Sequence, residues 1–295
     1  MLTKSQKDEM LAKYAASLSG DRSRAQLVSI CREFLEQMKY REPNRAAVVF
    51  YMKYLRETRG FSDASINLKW RTLRRFFIVN GLEWPFTRNE VPRVRESDVY
   101  APALHPEIIK KFIGLAHAGE LTRAEAALLA LSTTYGHRRA ELASTEKEDV
   151  DTSHGMLLVK TLKHGRERWH LLRDELAPWV EGYDFPKLTE DKVTRVYLSI
   201  EAKAGMQHIE ATGWHSIRRT LVTLIGHYCS ELEVHKFFRW GATSMEQRYT
   251  AVTFVGMEEI DRELNLPESQ VDEKVFAQHP FLKLWGGDSN AAPDA

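Results

Sequence analysis

Four short stretches of this sequence hold side chains able to clamp an anion, move a proton or attack phosphorus. In YGHRRAEL (135–142), Arg138 and Arg139 follow a glycine just past an apolar run. An arginine pair in apolar surroundings makes a phosphate or oxyanion clamp, because each guanidinium presents a planar fork of donors. Glu141, three residues after Arg138, falls on the same helical face and can orient that fork. An ordinary ion pair at a helix start has the same spelling. TLKHGRER (161–168) puts Lys163 in a turn, where a lysine is usually solvated but can donate a proton if its pKa is lowered. Lys160, three residues earlier, competes for that role. GWHSIRRTLVTLIG (213–226) sends His215 and Arg218 off one helical face beside the stripe Ile217, Leu221 and Ile225. RWGATSMEQRYT (239–250) carries Trp240, an N–H donor that accepts no proton, and nine residues later Tyr249, whose phenol can hold a phosphate covalently. Each stretch, taken alone, also fits core packing or surface pairing.

The elements that must position these residues are mostly helices. DRSRAQLVSICREFLEQMKY sets Leu27, Ile30, Phe34, Leu35 and Met38 on one face behind the capping candidate Asp21. A second helix is predicted from Pro43 to Gly60. A third follows Ser62, with Ile66, Trp70, Leu73, Phe76 and Phe77 toward a core and Lys69, Arg71, Arg74 and Arg75 on a basic face. That face suits DNA phosphates or plain solvent. The prolines after Trp84 predict a linker. HPEIIKKFIGLAHAG and LTRAEAALLALSTTYG then predict two helices ending at glycine, GMLLVK and RERWHLL a β-hairpin, and the remainder to about 252 more helix. The fold class is mainly α with a small antiparallel sheet. The expected organisation is a helical domain at 1–86, a linker at 87–104, a second domain at 105–256 and a helical tail at 257–295. That tail is acidic, with apolar residues from Val275 to Trp285. It can dock on a neighbouring protomer or fold back on its own domain.

The 295 residues suffice for two domains, and 43% hydrophobic with 28% charged residues is a globular composition. No apolar run approaches the ~20 residues needed to cross a bilayer. The charged N-terminal stretch lacks an apolar signal core. The two cysteines, Cys31 and Cys229, form no metal or redox motif and suit a reducing compartment, so a cytoplasmic location is expected. Net charge is only +1, but 19 basic against 12 acidic residues occupy 1–100, and 3 against 9 occupy 257–295. A basic first third fits a protein that grips a polyanion at one end, though charge alone does not separate this from ordinary surface.

Read in order, the chemistry-bearing residues are Arg138, a hairpin Lys163, His215-x-x-Arg218, Trp240, and Tyr249 nine positions on. In this order, with Arg-x-x-Glu at Arg138–Glu141, the sequence resembles the tyrosine recombinase (phage integrase, Xer-like) family. The resemblance covers about 100–255 by motif and 1–90 by architecture. The family more often has histidine at the position of Trp240. The hairpin position favours Lys163 over Lys160.

The resemblance implies a helical core-binding domain followed by a catalytic domain, and a site-specific recombinase that cuts and rejoins DNA through a 3′-phosphotyrosine. It implies Tyr249 as nucleophile and Arg138 and Arg218 as the phosphate clamp. Lys163 would be the general acid, His215 the proton acceptor and Trp240 a phosphate donor or packing group. Lys69, Arg71, Arg74, Arg75 and Arg139 would contact DNA. It implies no metal or nucleotide cofactor. The implied partners are double-stranded DNA with short core sites and further copies of the chain, two per site and four in a synapse. A type IB topoisomerase, a telomere resolvase, or a catalytically silent DNA-binding protein of the same fold are the alternatives.

Overall fold

The computed structural model describes residues 2–19, 21–38, 42–92, 102–161, 167–240 and 268–287, excepting the side chains of 21–23 and 268. The chain divides into two compact units, Met1–Tyr100 and Ala101–Ala295.

The first unit packs α1 (Lys4–Ala16), α2 (Asp21–Gln37), α3 (Arg45–Glu57) and α4 (Asp63–Val79). Polar caps start these helices. Thr3 and Gln6 form a reciprocal capping box, Asn44 accepts from the Ala47 amide, and Ser62 accepts from the Ser65 amide. Tyr14, Phe34, Tyr51, Leu55, Phe76 and Phe77 close the core. Trp70, Trp84 and Phe86 stack beside it with ring centroids 4.5–5.3 Å apart. The periodicity of 21–40 and 62–79 therefore marks real faces. α1 is not signalled in that way, since Leu11 and Tyr14 are its only buried residues.

The basic face expected on α4 needs one correction. Arg71, Arg74 and Arg75 are exposed, but Lys69 is 8% exposed, with Nζ 3.1 Å from Glu33 and 4.7 Å from the Phe61 ring centroid. Glu33 also accepts from the Tyr51 hydroxyl at 2.9 Å. A lysine loses its hydration only where such a carboxylate and ring replace it. Lys69 thus belongs to the contact between α2 and α4.

The second unit runs α5 (Pro106–His117), α6 (Arg123–Tyr135), α7 (Arg139–Ser144), β1 (Val150–Asp151), β2 (Met156–Val159), β3 (Arg168–Leu171), α8 (Ala177–Val180), α9 (Glu190–Lys203), α10 (Trp214–Ile225) and α11 (Glu231–Phe237). After the undescribed stretch come α12 (Glu268–Ala277) and α13 (Leu282–Trp285). The strands form an antiparallel sheet in the order β1-β2-β3, with Leu157 opposite His170 and Val159 opposite Arg168. The hairpin is the expected one, and β1 adds a short third strand. α6 is buried from Glu125 to Tyr135, so the other helices are built around it. Among the described residues no helix is long and apolar enough to cross a membrane.

The described part of the tail is built into this unit. Val271, Val275, Phe281, Leu282 and Trp285 join its core. Trp285 donates to Thr133 Oγ1 at 3.0 Å, Trp179 donates to the Trp285 carbonyl at 3.0 Å, and His279 Nε2 meets the Thr134 carbonyl at 3.0 Å. Residues 268–287 thus pack on this unit.

Candidate active site

The site begins where α6 stops. Gly136 ends the helix in the left-handed region at φ 61°, and a Cβ there would lie 2.6 Å from Phe238 Cε1 and 3.3 Å from Arg218 Cγ. Only glycine permits both this turn and that approach. The Gly136 carbonyl then accepts from Arg218 Nη1 at 2.5 Å, and the Phe238 carbonyl accepts from Nη2 at 2.7 Å. Two residues on, Arg138 caps α7. Its amide donates to Glu141 Oε2 at 2.8 Å and its Nη1 to Oε1 at 2.5 Å. Glu141 is only 2% exposed, while the Arg138 side chain keeps 26% of its surface in solvent.

α10 delivers Arg218 through a buried stripe of Trp214, Ile217, Leu221 and Ile225. His215 stands exposed one turn earlier. The guanidinium of Arg218 lies over the rings of Phe238 and Trp240, at 5.1 Å and 5.9 Å. Trp240 is half-buried and meets His235 edge-on at 4.8 Å. Arg138, Arg218 and Trp240 therefore gather around the Gly136 turn. Lys163 and Tyr249 lie outside the described residues. Arg139 is half-exposed and paired with α9, its Nη2 2.7 Å from Glu190.

Lys160 sits between two carboxylates, 2.7 Å from Glu146 and 2.8 Å from Asp149. Their hydrogen bonds, Asp149 first, push its pKa well up.

Sequence reasoning missed Arg239, which adjoins the site from the interior. It is 3% exposed and holds a left-handed backbone at φ 59°. Its Nη1 donates to His170 Nε2 at 3.0 Å and its Nη2 to Glu141 Oε2 at 3.2 Å, with the Tyr135 and Phe237 carbonyls as further acceptors. On the far side of His170, Nδ1 meets Asp272 Oδ1 at 3.1 Å. Asp272 also accepts from Arg168 at 2.7 Å and from the Leu171 amide at 2.8 Å. One signal for Arg239 was available: a charged residue directly between Phe238 and Trp240.

The electrostatics favour an incoming anion. Burial, then the like charges of Arg239 and Arg138, drive the Arg218 pKa well down, and Glu141 offsets this only in part. Burial also lowers Arg239, to about 10, against the pull of Glu141. Burial would raise Glu141, but Arg239 above all, with Arg218 and the Arg138 amide, brings it to about 2. Three guanidinium groups thus share one ionised carboxylate. Cations so placed gain most from a phosphate group, whose oxygens match the guanidinium fork.

The chain aligns with two curated relatives, both described as tyrosine recombinase XerA. The Thermococcus kodakarensis protein is 24% identical over 239 residues, covering 80% of this chain and 79% of the relative. The Pyrococcus furiosus protein is 24% identical over 293 residues, covering 92% and 99%. A solved structure of lambda integrase (75–356), a dimer bound to a COC′ core site, matches with a TM-score of 0.62 at 16% identity, covering 83% of this chain and 96% of that one. No family model matches the chain. The shared fold is that of the lambda-integrase-like recombinases. With the two sequence relatives, it supports placing the chain in the tyrosine recombinase family.

Proposed function

We propose that this chain is a site-specific DNA recombinase that cuts and rejoins DNA through a covalent tyrosine intermediate. The observation that carries the reading is the Gly136 turn, where Arg218 is held by the Gly136 carbonyl and Arg138 lies beside it, with the buried Glu141 carboxylate bonded to Arg138 and Arg239. In the reaction, the Tyr249 phenol oxygen attacks the scissile phosphorus, the bond from phosphorus to the 5′ oxygen breaks, and a 3′-phosphotyrosine forms. His215 accepts the phenol proton, and Lys163 gives a proton to the leaving 5′ oxygen. Arg138 and Arg218 receive the charge that builds on the non-bridging oxygens, a contribution of about 2.7–4 kcal/mol per donor in comparable oxyanion sites. Trp240 supports the phosphate through its N–H or shields it from water. A 5′ hydroxyl from a partner strand reverses the step, so the bond energy is retained and the chemistry itself requires no metal or nucleotide.

Lys160 is a poor candidate for the acid, because two carboxylates hold its proton tightly. This supports Lys163 for that role. The exposed Arg71, Arg74 and Arg75 are suited to phosphate contacts, which would make DNA binding fall steeply with salt. The lambda integrase dimer is bound to a core site, and another solved neighbour is a lambda integrase tetramer on a Holliday junction. By analogy, this chain works as two copies per site and four in a synapse.

Incubating the protein with a pool of random-sequence duplexes, nicked so that the short 5′ fragment escapes, tests the reading. The wild type is expected to yield a detergent-resistant protein–DNA adduct, and Tyr249→Phe to bind the pool without forming one. An adduct from Tyr249→Phe would show that the nucleophile lies elsewhere.

A further inference from the structure

We infer that Arg239 is a positioning residue for this reaction, its buried guanidinium holding the Glu141–Arg138 pair in place and tying that pair to His170 on β3 and Asp272 on α12. The inference rests on the recombinase reading for its chemical half; its geometric half stands on the structure.

Backbone conformation does not call for an arginine here. At φ 59° a side chain is strained where glycine would not be, so the position keeps arginine for what its side chain does. That side chain is buried, and its Nη groups donate to Glu141, His170 and two carbonyls of the surrounding turns. A charge is buried without loss only where such partners are fixed.

The neighbouring backbone gives the arginine its leverage. Phe238, directly before it, supplies the carbonyl that holds Arg218, and Trp240, directly after it, supplies the ring beside that same guanidinium. Anchoring Arg239 from the interior therefore fixes an acceptor of Arg218, the Trp240 ring and the carboxylate that orients Arg138. The contacts are also directional. Arg239 can only donate, so His170 Nε2 must accept, and its proton must sit on Nδ1, where it is donated to Asp272. Burial keeps that imidazole neutral, with a pKa lowered to about 4. A continuous path of hydrogen bonds runs from Arg138 through Glu141, Arg239 and His170 to α12.

Full-length Arg239→Gly and Arg239→Lys separate this role from a purely structural one. Glycine relieves the backbone strain and removes the fork; lysine keeps charge without the fork. Both are assayed on the nicked random-sequence pool, beside wild type and Tyr249→Phe, with urea midpoints and the 15N shifts of His170 recorded in parallel. Arg239→Gly is expected to bind the pool like wild type yet form adduct about a hundredfold more slowly, the scale of a small misplacement of reacting groups. Methylguanidinium in solution is expected to restore part of that rate, and the variant's His170 shifts are expected to lose the fixed Nδ1–H pattern. Wild-type adduct formation with an equally fast Arg239→Gly overturns the positioning role alone. A wild type that forms no adduct overturns the recombinase reading, and the chemical half of this inference with it. If Arg239→Gly does not fold, Arg239→Lys decides. Slow adduct formation at a wild-type urea midpoint supports the role, and wild-type speed contradicts it.

Discussion

At the scale of single residues, Gly136 shows how a small side chain sets the site. The turn needs φ 61°, and a methyl group there would meet Phe238 at 2.6 Å and crowd Arg218. Gly136→Ala is therefore expected to lower stability by about 1–3 kcal/mol, the usual range for a strained backbone position, and to slow adduct formation by displacing Arg218. Urea unfolding and the capture rate together check this, and an unchanged rate would mean that Arg218 needs no such seat. Arg218→Lys makes a different demand. An ammonium is a point charge and cannot bridge the Gly136 and Phe238 carbonyls as a planar fork does. It is expected to fold but to capture DNA at least ~100-fold more slowly, the loss typical of one transition-state donor. Side-chain type and spacing marked Arg138, Arg218 and Trp240 as candidates in the sequence, and the fold brings the three together around the Gly136 turn. Lys69 was misread because the carboxylate that buries it, Glu33, lies 36 residues away.

At the scale of elements, periodicity served well wherever a helix buries one full face. α2, α4, α5 and α10 carry such faces, α6 is instead buried all round, and the hairpin announces itself through two β-compatible runs around a turn. α1 escaped because it buries so little. The role of α12 escaped for another reason: its function depends on Asp272, whose partners Arg168, His170 and Leu171 lie about a hundred residues earlier. No local pattern encodes such a pairing. Asp272→Ala would leave a buried arginine without its carboxylate, and removing one member of a buried pair costs about 3–5 kcal/mol. We expect a loss of that size in urea unfolding of the second unit, with a smaller loss for Asp272→Asn, which keeps one acceptor. Equal, negligible effects would mean that α12 is held by its apolar residues alone.

At the scale of the whole molecule, the two units should answer acid differently. His137, His170 and His279 are buried in the second unit, and burial lowers their pKa values to about 3, 4 and 4. Residues 1–100 contain no histidine. An unfolded imidazole takes up its proton near ~6.5, whereas these folded ones resist until about pH 4 or below. The unfolded state thus binds more protons in that window, and stability falls as pH drops. The contribution is intact above ~6.5 and is lost toward 4, at up to ~1.4 kcal/mol per pH unit for each imidazole. Glu141, held at about 2, adds a further loss below the ordinary carboxylate range. A Trp70→Phe/Trp84→Phe variant leaves tryptophans only in 101–295, so its emission reports the second unit. Its urea midpoint is expected to fall steeply between pH 7 and 4.5, and a flat profile would contradict the burial of these rings.

The residue to which DNA becomes attached decides between this chemistry and any other. Protease digestion of the adduct captured from the nicked pool, followed by mass spectrometry of the DNA-linked peptide, reads that position directly. The expected peptide carries a 3′-phosphoryl nucleotide on the phenol oxygen of Tyr249. Attachment to any other residue, or through a 5′ phosphate, would contradict this chemistry.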